Sequence, residues 1–113
     1  MAAPAKVPLT FVAGDDETFV LTICSDAAGT TPVDITGRTY VMSIATSAAP
    51  TTAIASDAGS VNGAAGEVTF AFAAATTEAL TLVPHVFDVV ETASGAESTL
   101  IIGPLTIVAG VTA

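Results

Sequence analysis

The sequence predicts an all-β fold, a Greek-key sandwich of about seven strands. Three observations predict it. Apolar residues recur with a period of two in several short runs, the mark of half-buried strands. Clusters of turn formers separate the runs: Gly29 with Pro32, then Gly59, Asn62, Gly63 and Gly66, then Ser94 with Gly95. Helical periodicity is almost absent, and many short strands in a chain of 113 residues match the spacing of a two-sheet β domain.

The elements follow in order. Residues 9–13 (LTFVA) read as an opening strand. Residues 17–25 (ETFVLTICS) set Phe19, Leu21 and Ile23 on one face and Thr18, Val20, Thr22 and Cys24 on the other. Residues 38–46 (RTYVMSIAT) turn Tyr40, Met42 and Ile44 inward and Thr39, Val41 and Ser43 outward. A weaker strand is expected over residues 52–56. The surrounding stretch, 47–66, is rich in Ala, Thr, Ser and Gly; an edge hairpin is preferred there to a flexible linker. Residues 67–73 (EVTFAFA) put Val68, Phe70 and Phe72 inward, and residues 85–91 (HVFDVVE) put Phe87 and Val89 on the side that His85 begins. Residues 74–82 (AATTEALTL) hold the one plausible helical turn, crossing between sheets. The last apolar segment, 98–108, is interrupted by Gly103 and Pro104, where a bulge or sheet switch is expected because proline cannot donate to a ladder. The large core candidates are Phe11, Phe19, Tyr40, Phe70, Phe72 and Phe87.

The length fits one domain, read as residues 9–113, preceded by an extended N-terminal arm, residues 1–8, suited to act as a tether. Alanine and threonine are the commonest residues, so the core is thin for its length. Mean hydropathy is +0.75, yet Gly, Pro and Thr break every apolar stretch well short of the roughly 18 residues a membrane helix needs. The N-terminal segment, with Lys6 and Pro8 leading to Asp15, Asp16 and Glu17, makes a poor signal peptide, which predicts synthesis in the cytoplasm. Lys6 and Arg38 are the only basic residues against eleven acids, a formal charge of -9, and this argues against nucleic-acid binding through a basic surface.

Catalytic chemistry is hard to assemble from these residues, and no enzyme, cofactor or metal site is expected. His85 is the only imidazole, and Asp88 lies three positions on in a strand, on the opposite face, so the two cannot pair. Cys24 is the only cysteine; it excludes an internal disulfide and has few cations to activate it, so an inert side chain is expected. Asp15, Asp16 and Glu17 offer clustered oxygens but lack the alternation of a calcium loop, and a solvated turn is the preferred reading. The stretch GSVNGAAG has neither the lysine nor the following helix of a phosphate loop.

What remains is surface. The outward positions carry Thr, Ala, Val and Ser, and charge depletion distinguishes the centre of protein interfaces. Val20, Val41 and Val90, with Lys6 on the arm, are therefore the candidate interface residues, weighed against the ordinary occurrence of single exposed valines on sheets. The strong negative charge would keep free subunits apart before assembly.

Two segments resemble a known family when read together. The first is VDITGRTYVMSI, residues 33–44. The second runs from Gly66 to Thr112 and joins a strand, the turn Thr77 to Leu80, the pair Phe87 and Asp88, a hairpin, the late strand Gly103 to Ile107 and the closing Val111 and Thr112. The pattern resembles small immunoglobulin-like domains of tailed-bacteriophage virion proteins, similar to the N-terminal module of upper baseplate proteins. The resemblance implies an immunoglobulin-like Greek-key β-sandwich without catalysis. It also implies a structural role in the virion, as a tail or baseplate adaptor or as a capsid decoration (cement) protein. The expected partners are other virion proteins, tail, baseplate or major capsid protein, in a symmetric multi-copy assembly, with neither nucleic acid nor membrane. A carbohydrate-binding or host-adhesion module is the alternative; the absence of Trp and the inward placement of the single Tyr deprive it of a stacking platform.

Overall fold

The computed structural model describes residues 5–25, 31–46, 53–80 and 84–109. Among them the chain forms β1 (Ala5–Lys6), β2 (Leu9–Ala13), β3 (Glu17–Thr22), β4 (Thr39–Ala45), β5 (Ala55–Ala58), β6 (Ser60–Asn62), β7 (Glu67–Phe72), α1 (Ala74–Ala79), β8 (His85–Ala93) and β9 (Ala96–Ala109). The fold is all-β, with two sheets in a sandwich-like arrangement. The large sheet has the order β1-β9-β8-β4-β5, and β2 continues β1 along the same edge of β9; the small sheet has the order β3-β7-β6. Two short strands that the hydropathy pattern does not mark, β1 and β6, add to the expected set.

Alternation places the core between the sheets. Tyr40, Met42 and Ile44 of β4, Phe87 and Val89 of β8, and Val68, Phe70 and Phe72 of β7 are all buried. Phe19 departs from expectation: it is only half-buried, because β3 is an edge strand, but its ring still stacks on Phe70 and meets Phe87 edge-on, each at 6.3 Å between centroids. Ile35 is fully buried although it sits in the connection between β3 and β4. Its backbone explains this. The Asp34 carboxylate accepts from the Thr36 N–H and hydroxyl, closing a local turn, while the Ile35 N–H donates to the Gly63 carbonyl at 2.9 Å.

Among the described residues of 47–66 there is no hairpin pairing within the segment. β5 pairs with β4 in the large sheet and β6 pairs with β7 in the small one, so the chain changes sheets at Gly59. The Gly59 N–H makes the last bond to β4, at the Tyr40 carbonyl, and Ser60 already faces Thr69 of β7. The strand expected over residues 52–56 begins later, at Ala55, and residues 47–52 lie outside the described residues. The strand expected over residues 17–25 ends at Thr22, and Cys24 instead forms an isolated bridge with Pro32.

The interruption in β9 is also elsewhere than expected. β9 passes through Gly103 and Pro104 without a break, and the register shift falls between Val89 and Val90 of β8, where Leu100 is the extra residue on β9. Gly103 serves a different purpose: a Cβ there would strike the Val7 carbonyl oxygen, so only glycine lets the chain between β1 and β2 lie against β9. Residues 5–6, counted in sequence with the arm, are paired to Ile101 and Ile102. Residues 1–4 lie outside the described residues. The helical turn expected near residue 77 is present as α1, between the small-sheet strand β7 and the large-sheet strand β8.

Candidate docking surface

The outer face of the large sheet is set by the pairing of β4, β8 and β9. Val41 lies opposite Val90, Ser43 opposite Asp88, and Asp88 opposite Ile102. The extra residue at Leu100 decides what flanks the valines. In an unbroken strand Thr99 would share the inward face of Ile101; the bulge reverses the alternation, so that Ile101 faces Val89 and the core while Thr99 faces Val90 and the outside. The result is an open depression of about 400 Å³ lined by Val41, Ser43, Val90, Thr92, Glu97, Ser98 and Thr99. Its lining combines two valines with four hydroxyl-bearing residues and one acid, Glu97.

Asp88 stands beside this depression on the same face and is half-buried. Burial raises its carboxyl above the usual aspartate value, and the described residues give it neither a hydrogen bond nor an ion pair. Glu91 belongs to the opposite, inward face. Its Oε2 accepts from the Tyr40 hydroxyl at 2.6 Å and from Arg38 Nη1 at 3.3 Å, which closes one end of the core. Burial, followed by its hydrogen bond to Glu91, pushes the Tyr40 pKa up to about 12; Arg38's own hydrogen bond to Glu91 raises that of Arg38.

Of the candidate interface residues, Val41 and Val90 meet across the β4 and β8 rungs. Val20 does not join them. It projects from β3 in the small sheet, 54% exposed, on the other side of the sandwich. The Lys6 backbone pairs with Ile102, and its side chain lies outside the described residues. Ser43, Thr92, Glu97, Ser98 and Thr99 had not been singled out as a site. For Ser43 the strand alternation was a sufficient signal, whereas Thr99 depended on a bulge that its sequence does not announce.

Several of the residues weighed for chemistry make hydrogen bonds within the fold. Glu17 Oε2 accepts from the Val12 N–H at 2.7 Å, and Asp16 Oδ1 accepts from the Ala74 N–H at 2.7 Å, capping α1 from another element. The Asp15 carbonyl accepts from the fully buried Thr77 hydroxyl at 2.7 Å, and that hydroxyl also accepts from the Gly14 N–H. Asp57 Oδ2 accepts from the Ala71 N–H at 2.9 Å, joining the large sheet to the small. Hydrogen bonds to Thr36 hold the Asp34 carboxyl below its ordinary value. His85 opens β8 and is buried, while Asp88 faces outward, so the two do not form a pair. Cys24 is half-buried. Among the described residues no three His, Cys, Asp or Glu side chains are grouped to hold a metal ion, and no helix is long and apolar enough to cross a membrane. Compared with protein-family models and with curated proteins, the sequence matches none.

Proposed function

We propose that this chain is a non-enzymatic structural protein of a tailed-bacteriophage virion, a small immunoglobulin-like sandwich that docks onto the particle as a tail or baseplate adaptor or as capsid decoration. The observation that carries the docking role is the outer face of the large sheet. Val41 and Val90 are set among hydroxyl-bearing residues on a three-strand surface, with charge confined to Glu97 and the half-buried Asp88. Such a face is apolar at its centre and polar at its margin, the composition of an interface. The structural use of Asp16, Glu17, Asp34, Asp57 and Glu91 supports the non-enzymatic reading, since each already accepts a bond within the fold. The virion assignment draws on the sequence resemblance alone; of its parts, the Asp34 turn, α1 and the outward Asp88 of β8 lie within the described residues, and Val111 and Thr112 lie outside them.

Each contact is weak, and symmetric repetition supplies avidity. The test is binding of the purified chain to particles or tails of the phage that encodes it. Saturable binding is expected, weakened at least about tenfold by Val41→Glu, whose site is exposed enough to spare the core. Absence of the chain from purified particles by mass spectrometry, with no binding to them, would refute the reading.

A further inference from the structure

Strands at the edges of the two sheets differ in how they discourage further pairing. β5 has four residues, β6 has three, and β1 and β2 are separated by Val7 and Pro8. Short length, charge and proline are the usual protections of a free edge. β3 is longer, holds no proline and carries a charge only at its first residue. It runs six residues, ETFVLT, in unbroken register with β7. Its one charge, Glu17, is turned back onto the Val12 N–H. The outward side chains are Thr18, Val20 and Thr22, all exposed.

The register fixes which backbone groups are spare. The Ile23 N–H donates to the Gly66 carbonyl at 2.8 Å, continuing the β3 and β7 rungs. In an antiparallel ladder, residues 17, 19 and 21 then direct their backbone groups at β7, and Thr18, Val20 and Thr22 direct theirs at the open edge. The same alternation sends the Ala71 N–H to the far side of β7, where it meets Asp57. Among the described residues, β3 pairs with β7 alone.

We propose that the open edge of β3 pairs antiparallel with β3 of a second copy of this chain, about a two-fold axis through Val20. The spare groups are symmetric about that residue: Thr18 would face Thr22, Val20 would face Val20, and each donor would meet an acceptor. This self-complementarity selects a copy of the same strand as the occupant. No charged side chain stands at the closest approach, although each chain carries a net -9. The two small sheets become one continuous sheet. A single strand pair covers less than the roughly 1,200 Å² of a stable complex, so the pairing is weak and gains weight where copies are crowded. It does not rest on the virion reading.

The test is disulfide trapping with Val20→Cys in a Cys24→Ser background, against Val41→Cys in the same background. Opposed Cα atoms of a hydrogen-bonded antiparallel pair lie about 5.5 Å apart, within disulfide range. Val20→Cys should form covalent dimer at least about tenfold faster than Val41→Cys at equal concentration. A second measurement needs no cysteine. The unmodified chain should show reversible dimer by sedimentation at about millimolar concentration. Val20→Lys should abolish it, although that change lowers the net negative charge. Equal trapping rates, or identical sedimentation of the unmodified chain and Val20→Lys, would overturn the proposal, whatever the outcome of particle binding.

Discussion

Tyr40 shows how one polar atom can be kept inside a thin core. Its ring is buried, and its hydroxyl is spent on Glu91, which Arg38 also approaches from the surface. Burial disfavours the phenolate, and ionising the phenol would also set a second negative charge against Glu91. The folded pKa is therefore raised to about 12 from 10.0, and the unfolded chain loses its proton first as pH rises. The stability held by neutral Tyr40 is complete below about pH 10 and is lost as pH rises through about 12. Because Tyr40 is the only tyrosine and Trp is absent, tyrosinate absorbance reads this group alone. Tyr40→Phe should lower stability at neutral pH by about 1 to 2 kcal/mol. It should also lose the part of the alkaline decline that denaturant titrations of the two proteins, compared pH by pH, assign to this side chain. Thr77 works by the same logic with a neutral partner: its hydroxyl donates to Asp15 and accepts from Gly14, so α1 is fastened to the turn between β2 and β3.

The contact between β9 and the first two strands depends on Gly103. A methyl there meets the Val7 backbone, which cannot rotate aside as a side chain could. Gly103→Ala should cost about 1 to 3 kcal/mol and raise amide exchange in β1 and β2 well above that in β7. Calorimetry and exchange by mass spectrometry together check this, and uniform exchange would count against it. Most strands were legible in the sequence because alternation is a local signal: Tyr40, Met42 and Ile44 inward and Val41 outward follow from β4 alone. The hairpin joining β8 and β9 was legible too, since Ser94 and Gly95 both take positive φ. Other features depend on which strands become neighbours. Leu100 becomes a bulge only against Val89 and Val90, and Gly59 becomes a crossing only because β5 and β6 choose different partners. The burial of Ile35 requires the distant Gly63 carbonyl, which no short window contains. The candidate surface was half legible for the same reason: Val41 and Val90 share a parity that can be read, but whether Val20 shares their sheet cannot.

The charge balance acts on the fold as a single term. With Arg38 held by Glu91, the acids repel one another with little local compensation. Screening should therefore stabilise the protein: raising ionic strength from about 0.01 to 0.15 M shortens the Debye length from about 30 to 8 Å and should raise the melting temperature. A melting point independent of salt would contradict this. The parallel pairing of β2 with β9, Leu9 beside Leu105 through Ala13 beside Ala109, has a mechanical consequence. Tension drawing residue 9 backward and residue 109 forward runs along the two strands in opposite senses. Every rung between them is then loaded at once, instead of being unzipped one after another. Rupture under load follows the rate of forced unfolding, and this geometry places the whole ladder across that barrier. A subunit pulled at both ends would resist by shear.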